Sequence, residues 1–424
     1  MESPVKLQGP PQRDYQDCPS ELPTNPALEN GIKGADLQPQ QRDRRKRRLA
    51  FVPADGKVFF PAALAAVTLA TRVFCHGSVY FADGPAHVKS ILEKTYIIQP
   101  PGYWLFNRVA GLFGDPVLAI SVMNILFSVA GIIAFYFAAC FFTAKKNAFV
   151  AALAYSSVFY VWFSGEVHST YASQILFPVA TFWAFLCYER DHKRWMLLLA
   201  AGLFAVGAGL RPSDGAFMIP MVLYFAAFRL ERKEAAVFLG SIAVLCLGWL
   251  VPTWLAFHQE KGWGVHGAVG YSQSVMTMRS ILTGINAYTL ASVARYVLPL
   301  LFAFWPVLGI ATRHAIRNHK DWRVKAMLLW IVPGSLFFVL LYISDATYLA
   351  FLSAAILLLA ANARRMMIVT ALCNTVFFLF LGPIPSHKLL ANIANADLIK
   401  YSYYGIRHHW RPNLSELQTT LDIR

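Results

Sequence analysis

The run Pro116-Val-Leu-Ala-Ile-Ser-Val-Met-Asn124-Ile-Leu-Phe-Ser128-Val-Ala-Gly131-Ile-Ile-Ala-Phe-Tyr-Phe-Ala-Ala-Cys140-Phe-Phe142 contains no Asp, Glu, Lys or Arg. A helix rising about 1.5 Å per residue crosses about 30 Å of hydrocarbon in about 20 residues, so this run is long enough to span a bilayer. Similar apolar segments recur on either side of it, near 58–76, 148–164, 172–188, 195–210, 215–229, 235–257, 288–311, 326–343, 347–361 and 366–382. The expected fold is therefore an all-α polytopic membrane protein with about 11 transmembrane helices. Long unbroken apolar runs exclude a β-barrel, whose strands alternate.

Composition agrees: 57% of residues are hydrophobic and only 14% are charged. Lys and Arg gather at Arg42-Asp-Arg-Arg-Lys-Arg-Arg48, Lys145-Lys146, Glu189 to Arg194, Arg229 to Lys233, Arg313 to Lys325 and Arg364-Arg365. All of these fall on one side of the expected topology, and the positive-inside bias makes that side the cytoplasm. The surplus of +15 follows mostly from this bias, so nucleic acid is not an expected partner.

Residues 1–56 are polar, rich in Pro, Gln, Asp and Arg, and without period. They are expected to form a disordered basic cytoplasmic tail whose Arg42 to Arg48 cluster meets anionic headgroups. The first apolar stretch is too far from Met1 to be a signal peptide. Residues 57–382 make up the transmembrane domain, and 383–424 a polar, aromatic tail expected on the outer face. Cys18, Cys75, Cys140, Cys187, Cys246 and Cys373 show no ligand or redox spacing and read as packing residues. His408-His409 lacks a neighbouring Cys or carboxylate, so no cofactor follows from the pattern, although a divalent cation stays open.

Between the first two apolar segments lies Tyr80-Phe-Ala-Asp83-Gly-Pro-Ala-His87-Val-Lys89, followed by Gln99-Pro100-Pro101-Gly102-Tyr103. Ionisable groups at a membrane face are costly unless they pair or react, so this outer loop is the expected active site. Glu166, Arg211 and Asp214 stand in other loops of the same face. One reaction needs such groups there: sugar transfer from a polyprenyl-phosphate donor held in the bilayer. Asp83 would deprotonate the acceptor hydroxyl while the anomeric carbon is attacked opposite the leaving phosphate, an inverting displacement. Cations would hold that phosphate as its charge grows, with Arg211 first and His87, Lys94, Arg279 and Arg295 as further candidates.

The order Asp83-Gly-Pro-Ala-His87, Gln99-Pro-Pro-Gly-Tyr-Trp-Leu-Phe106, Asn124, Ser128 and Gly165-Glu166-Val-His-Ser-Thr-Tyr171 resembles the GT-C superfamily of membrane glycosyltransferases. It is most similar to the branch of protein O-mannosyltransferases and aminoarabinose transferases, over roughly residues 75 to 225. The resemblance implies a catalytic base at Asp83 and a second acid at Glu166. It also implies a GT-C-type fold with outer catalytic loops, and a lipid, glycan or protein acceptor. A multi-pass location in a bacterial inner (plasma) membrane goes with it, with the active site facing outward. Gln99 stands where relatives often have His, and Asp83 is followed by Gly rather than a second acid. These departures bear on the acceptor more than on the reaction class.

Each site residue also has a plainer reading. Asp83 could start a helix, Glu166 could cap one, and Arg211 with Asp214 could be a helix-end ion pair. His87 lies one helical turn beyond Asp83 and could orient it. Pro100, Pro101, Gly102 and Tyr103 shape the loop, the first three through the backbone alone. Trp104, Trp162 and Tyr171 read as interfacial aromatic belts, with sugar stacking as the alternative. Two other functions remain open. A transporter or flippase of lipid-linked sugars would more often show midplane sites and internal repeats, and a glycan ligase or polymerase would have a larger outer loop than His258 to Asn286.

Overall fold

In the computed structural model, the described residues are 58–74, 83–95, 103–166, 168–261, 287–340 and 346–380, with a few side chains inside these ranges left aside. All lie in one compact unit, Lys57–Arg424. The expectations for both tails and for the Pro100-Pro101-Gly102 turn lie outside the described residues, as do those for Arg279 and for most of the His258 to Asn286 stretch.

The regular elements described are all helical. They are α1 (Phe59–Phe74), α2 (Asp83–Leu92), α3 (Trp104–Ala110), α4 (Pro116–Ala139), α5 (Lys145–Ser157), α6 (Phe159–Ser164), α7 (Ser173–Asp191), α8 (Arg194–Leu210) and α9 (Pro212–Arg229). Then come α10 (Arg232–Lys261), α11 (Ala287–Arg317), α12 (Trp322–Leu340), α13 (Ala350–Leu359) and α14 (Arg364–Phe380). Over their described residues, the expected apolar segments overlap helices, one of them divided between two. The segments Pro116–Ala139, Thr170–Asp191, Arg232–Ala256 and Tyr296–Arg317 are long and apolar enough to cross a membrane by length and composition. The chain is an integral membrane protein, and α10 shows the lipid-facing side: Val237, Val244, Leu247 and Trp254 are exposed along it.

One expected segment is broken. The stretch 148–164 divides into α5 and α6 at Val158, whose ψ of 121° leaves the helical region. The freed Phe159 N–H donates to Asn374 Oδ1 of α14 at 3.2 Å, and Asn374 Nδ2 donates to the Ala303 carbonyl of α11 at 2.9 Å. A backbone donor that would be stranded inside the bundle is thus satisfied by a distant side chain.

Helices pack through small residues, as expected where lipid removes the hydrophobic drive to associate. Gly131 of α4 is required by close approach: a Cβ there would lie 2.7 Å from the Ile175 carbonyl carbon of α7. Ala148, Ala151, Ala152 and Ala154 of α5 are fully buried, as are Ala350 and Ala355 of α13. At the start of α4, Asp115 caps the helix by accepting from Val117 N at 2.9 Å and Leu118 N at 3.2 Å.

The two ends of the bundle differ in chemistry. At one end Arg229 pairs with Glu189 (Nε to Oε1 2.9 Å) and lies over the Trp322 ring, and Arg323 lies over Phe142. This end carries the basic loops. The opposite end gathers the last turn of α1, the first turns of α4, α7 and α9, and the 3₁₀ turn Ala346–Leu349.

Candidate active site

Arg211 is the centre of that second end. It lies between α8 and α9 with an extended backbone and is 2% exposed. Its Nε stands 3.2 Å from Asp214 Oδ1, and its Nη1 donates to Thr170 Oγ1 at 2.6 Å. The guanidinium lies 4.3 Å from the Tyr171 ring centroid and 4.8 Å from that of Tyr348. Asp214 also accepts from Gln174 Nε2 at 3.1 Å, while Gln174 Oε1 is buried without a hydrogen-bond partner. The ion-pair reading of Arg211 and Asp214 therefore holds, yet it is only part of the arrangement. The cation is bracketed by two tyrosine faces and tied to the loop that follows Glu166.

Asp83 opens α2, with Pro85 in the first turn, so the helix-start reading holds for the backbone. The Asp83 side chain lies outside the described residues. His87, one turn later, is buried, and its Nδ1 is 2.8 Å from Asn107 Oδ1 of α3. An amide oxygen only accepts, so Nδ1 carries the proton. Burial pushes the imidazole pKa down to about 4, against the pull of Asn107, with Arg211 lowering it further. The His87–Asn107 hydrogen bond joins α2 to α3 at the candidate site. Asn107 extends the contact by donating to Ser90 Oγ at 3.3 Å. Tyr103 joins the two parts of the site: its ring lies 5.2 Å from that of His87, and its phenol interacts electrostatically with Arg211.

Glu166 is 5% exposed. Burial pushes its carboxyl well above the ordinary carboxylate range, with the Arg72 guanidinium and the Trp162 indole acting in the opposite sense. Lys94 follows α2 and is exposed rather than buried with Arg211, and its φ of 58° puts it in the left-handed region. Arg295 lies in α11, with its side chain outside the described residues. Trp162 and Tyr171 do not form a lipid-facing belt: at 5% and 3% exposure they are buried, Trp162 against Arg72 at 5.1 Å and Tyr171 against Arg211. Sequence position sets the depth of an aromatic ring but not the direction it faces.

Sequence reasoning passed over Arg72, Asn107, Gln174 and Tyr348. Arg72 had a readable signal, since it is a lone cation within the first apolar segment. Among the described residues, no three His, Cys, Asp or Glu side chains converge as a metal site would require.

Residues 99–255 match the family described as dolichyl-phosphate-mannose-protein mannosyltransferase. The structure is similar to that of ArnT from Cupriavidus metallidurans bound to undecaprenyl phosphate, with a TM-score of 0.53 and 17% identity. That likeness covers 73% of this chain and 60% of the ArnT chain. The chain has the GT-C fold of membrane glycosyltransferases. Two structures of the Archaeoglobus fulgidus oligosaccharyltransferase are more distant. The complex with Zn and sulfate has a TM-score of 0.42 and 14% identity, over 81% of this chain and 53% of that one. The form tethered to an acceptor peptide has a TM-score of 0.46 and 13% identity, over 83% and 56%. No curated protein matches the sequence. The segment matched to the mannosyltransferase family carries Tyr103, Asn107, Trp162, Glu166, Thr170, Tyr171, Gln174, Arg211 and Asp214 of the site.

Proposed function

We propose that the protein transfers a sugar from a polyprenyl-phosphate donor to an acceptor hydroxyl at the outer face of the membrane, with inversion at the anomeric carbon. The observation that carries this reading is the buried Arg211 bracketed by Tyr171 and Tyr348, at the bundle end where α2 opens with Asp83. A fixed guanidinium in a water-poor setting stabilises a phosphate oxygen that gains charge as its bond to the sugar breaks, and it does so without reorganising. Asp83 is assigned as the base that takes the acceptor proton. The family match and the fold shared with an undecaprenyl-phosphate-bound enzyme support a lipid-phosphate donor over transport or flipping. With the basic end in the cytoplasm, the N-terminal tail lies inside and the site faces the exterior. The acceptor is a lipid, a glycan or a protein.

The test is incubation of the purified protein in lipid with a panel of polyprenyl-phosphate sugars, following transfer or hydrolysis. Turnover of one donor that disappears in Asp83→Asn supports the assignment. Absence of turnover across the panel, with undecaprenyl phosphate failing to bind, would remove the donor class.

A further inference from the structure

At the basic end of the bundle, the last turns of α11 carry a groove of about 650 Å³ lined by Leu308, Gly309, Thr312, Arg313, Ile316 and Arg317. From Gly309 onward these positions recur at i+3, i+4, i+7 and i+8, so they share one helix face. The same face continues up the helix through Trp305 and Leu301, both exposed. Ile316 is exposed between the two arginines. Gly309 is helical, and among the described residues no atom lies within 4 Å of its would-be Cβ. Neither backbone conformation nor packing against the protein requires a glycine there, and its bare backbone gives the groove its depth.

The charges of this end divide into two groups. Arg229 pairs with Glu189, Arg190 pairs with Asp191, and Arg323 lies over the Phe142 ring. The carboxylate of Asp321 accepts from Arg323 N at 2.9 Å at the start of α12, and that of Glu234 accepts from the Tyr188 hydroxyl. Arg313 and Arg317 are exposed, and among the described residues no ion pair or ring contact engages either side chain. Positive-inside bias and the helix dipole account for basic residues at a helix end. They do not account for an apolar groove running up to two unengaged guanidinium groups. Side chains one helical turn apart have Cβ atoms about 5–6 Å from each other, close enough to take one phosphate from two sides. Below them, α11 rises about 12 Å from Trp305 to Arg313 and offers an apolar wall of Leu308 and Trp305.

We propose that this groove binds an anionic glycerophospholipid, with its phosphodiester held by Arg313 and Arg317 and an acyl chain lying over Gly309 against Leu308 and Trp305. Thr312 adds a hydroxyl on the same face. Under the proposed orientation this lipid belongs to the cytoplasmic leaflet, where anionic headgroups attract basic residues. The site is separate from Arg211 and takes no part in sugar transfer.

The full-length protein is purified in a neutral detergent, and its thermal midpoint is followed as dioleoylphosphatidylglycerol or dioleoylphosphatidylcholine is titrated in. Wild type is compared with Arg313→Gln/Arg317→Gln, with Lys320→Gln/Lys325→Gln and with Gly309→Leu. The lysines are exposed at the same end, so their variant loses equal charge outside the groove. As all these positions are exposed, the variants should match wild type before lipid is added. The wild-type midpoint should rise with phosphatidylglycerol and stay level with phosphatidylcholine. The arginine variant should need about 25-fold more phosphatidylglycerol for half the rise, from about 1 kcal/mol per basic residue and about 1.4 kcal/mol per factor of ten. Gly309→Leu fills the groove and should weaken the response with its charge intact, while the lysine variant should respond as wild type does. Equal losses in the arginine and lysine variants would overturn the site in favour of diffuse surface charge. A full response in Gly309→Leu would take the lipid out of the groove. An equal rise with inorganic phosphate would overturn a lipid as the occupant, and no rise with phosphatidylglycerol in wild type would overturn the site altogether. None of these readouts involves turnover, so they decide the groove independently of the transfer reaction.

Discussion

Replacing Gly165 with Ala adds one methyl group where two buried side chains already stand. The backbone there is ordinary, with φ −80° and ψ −10°, so the glycine is needed for space and not for conformation. The new Cβ would lie 2.9 Å from Arg72 Nε and 3.1 Å from Arg72 Cδ, and it would overlap Ser128 Oγ. Neither neighbour can swing into solvent, because both are fully buried and Arg72 is held by its bond to the Ser156 carbonyl. Overpacking of this kind costs about 1–3 kcal/mol. Weakening a charged hydrogen bond adds up to about 1.5–3 kcal/mol. The opposing gain from Ala over Gly in a helix is at most about 1 kcal/mol. The expected net effect is therefore destabilising by a few kcal/mol. Gly202 of α8 is the control, since no atom lies within 4 Å of its would-be Cβ. Gly202→Ala should be neutral or stabilising by about 0.5–1 kcal/mol. Unfolding midpoints of the two purified variants, measured side by side, check the argument. Equal stability would show that Arg72 and Ser128 do not crowd the turn.

Asp83→Asn keeps size but cannot take a proton, so turnover should fall by about 10²–10⁴-fold with undecaprenyl phosphate binding retained; transfer at the wild-type rate would move the base to another residue. Arg211→Lys should retain part of the activity, because a point charge partly replaces a planar fork. Arg211→Ala should lose donor binding and also stability, by about 3–5 kcal/mol, because Asp214 is left buried without its cation; equal folded yield and donor affinity in Arg211→Ala and wild type would refute both expectations. His87 supplies a pH signature, since its folded pKa of about 4 lies below the ordinary 6.5. As pH falls from about 6.5 to about 4, the unfolded chain binds a proton that the folded chain refuses, so stability drops by about 3 kcal/mol across that window. His87→Gln should flatten this slope, and an unchanged slope would assign the acid sensitivity to other groups.

Much of the fold is legible because membrane helices need only length and apolarity. The expected segments overlap helices over their described residues for that reason. The break at Val158 is not legible, because Ser157-Val158-Phe159 contains no Gly or Pro and the break depends on Asn374 of α14. The site divides along the same line. Asp83, His87, Glu166 and Arg211 stand out as polar residues near helix ends, and Arg72 stands out as a charge inside an apolar run. Their partners do not stand out. Tyr348, Gln174 and Thr170 are ordinary residue types whose meaning comes from tertiary packing around Arg211, and Trp162 and Tyr171 turn inward where interfacial residues would turn outward.

Two arginines buried at one end of a bundle raise the question of which one meets an anion. The proposed function assigns Arg211, and the two partner sets support that choice. Arg72 has a backbone carbonyl of α5, a hydroxyl of α1 and the indole face of Trp162 in α6. Arg211 has one carboxylate, which it shares with Gln174, together with a threonine hydroxyl, two aromatic faces and the nearby Tyr103 phenol. A hydroxyl accepting from a guanidinium is worth about 1.5–3 kcal/mol and a cation–π contact about 0.5–2 kcal/mol; a charged phosphate oxygen makes a stronger bond to the same guanidinium, while Asp214 keeps a second donor in Gln174 if the guanidinium turns. In the proposed transfer, Arg211 is therefore the cation assigned to the phosphate, while Arg72 ties α1 to α5 and α6.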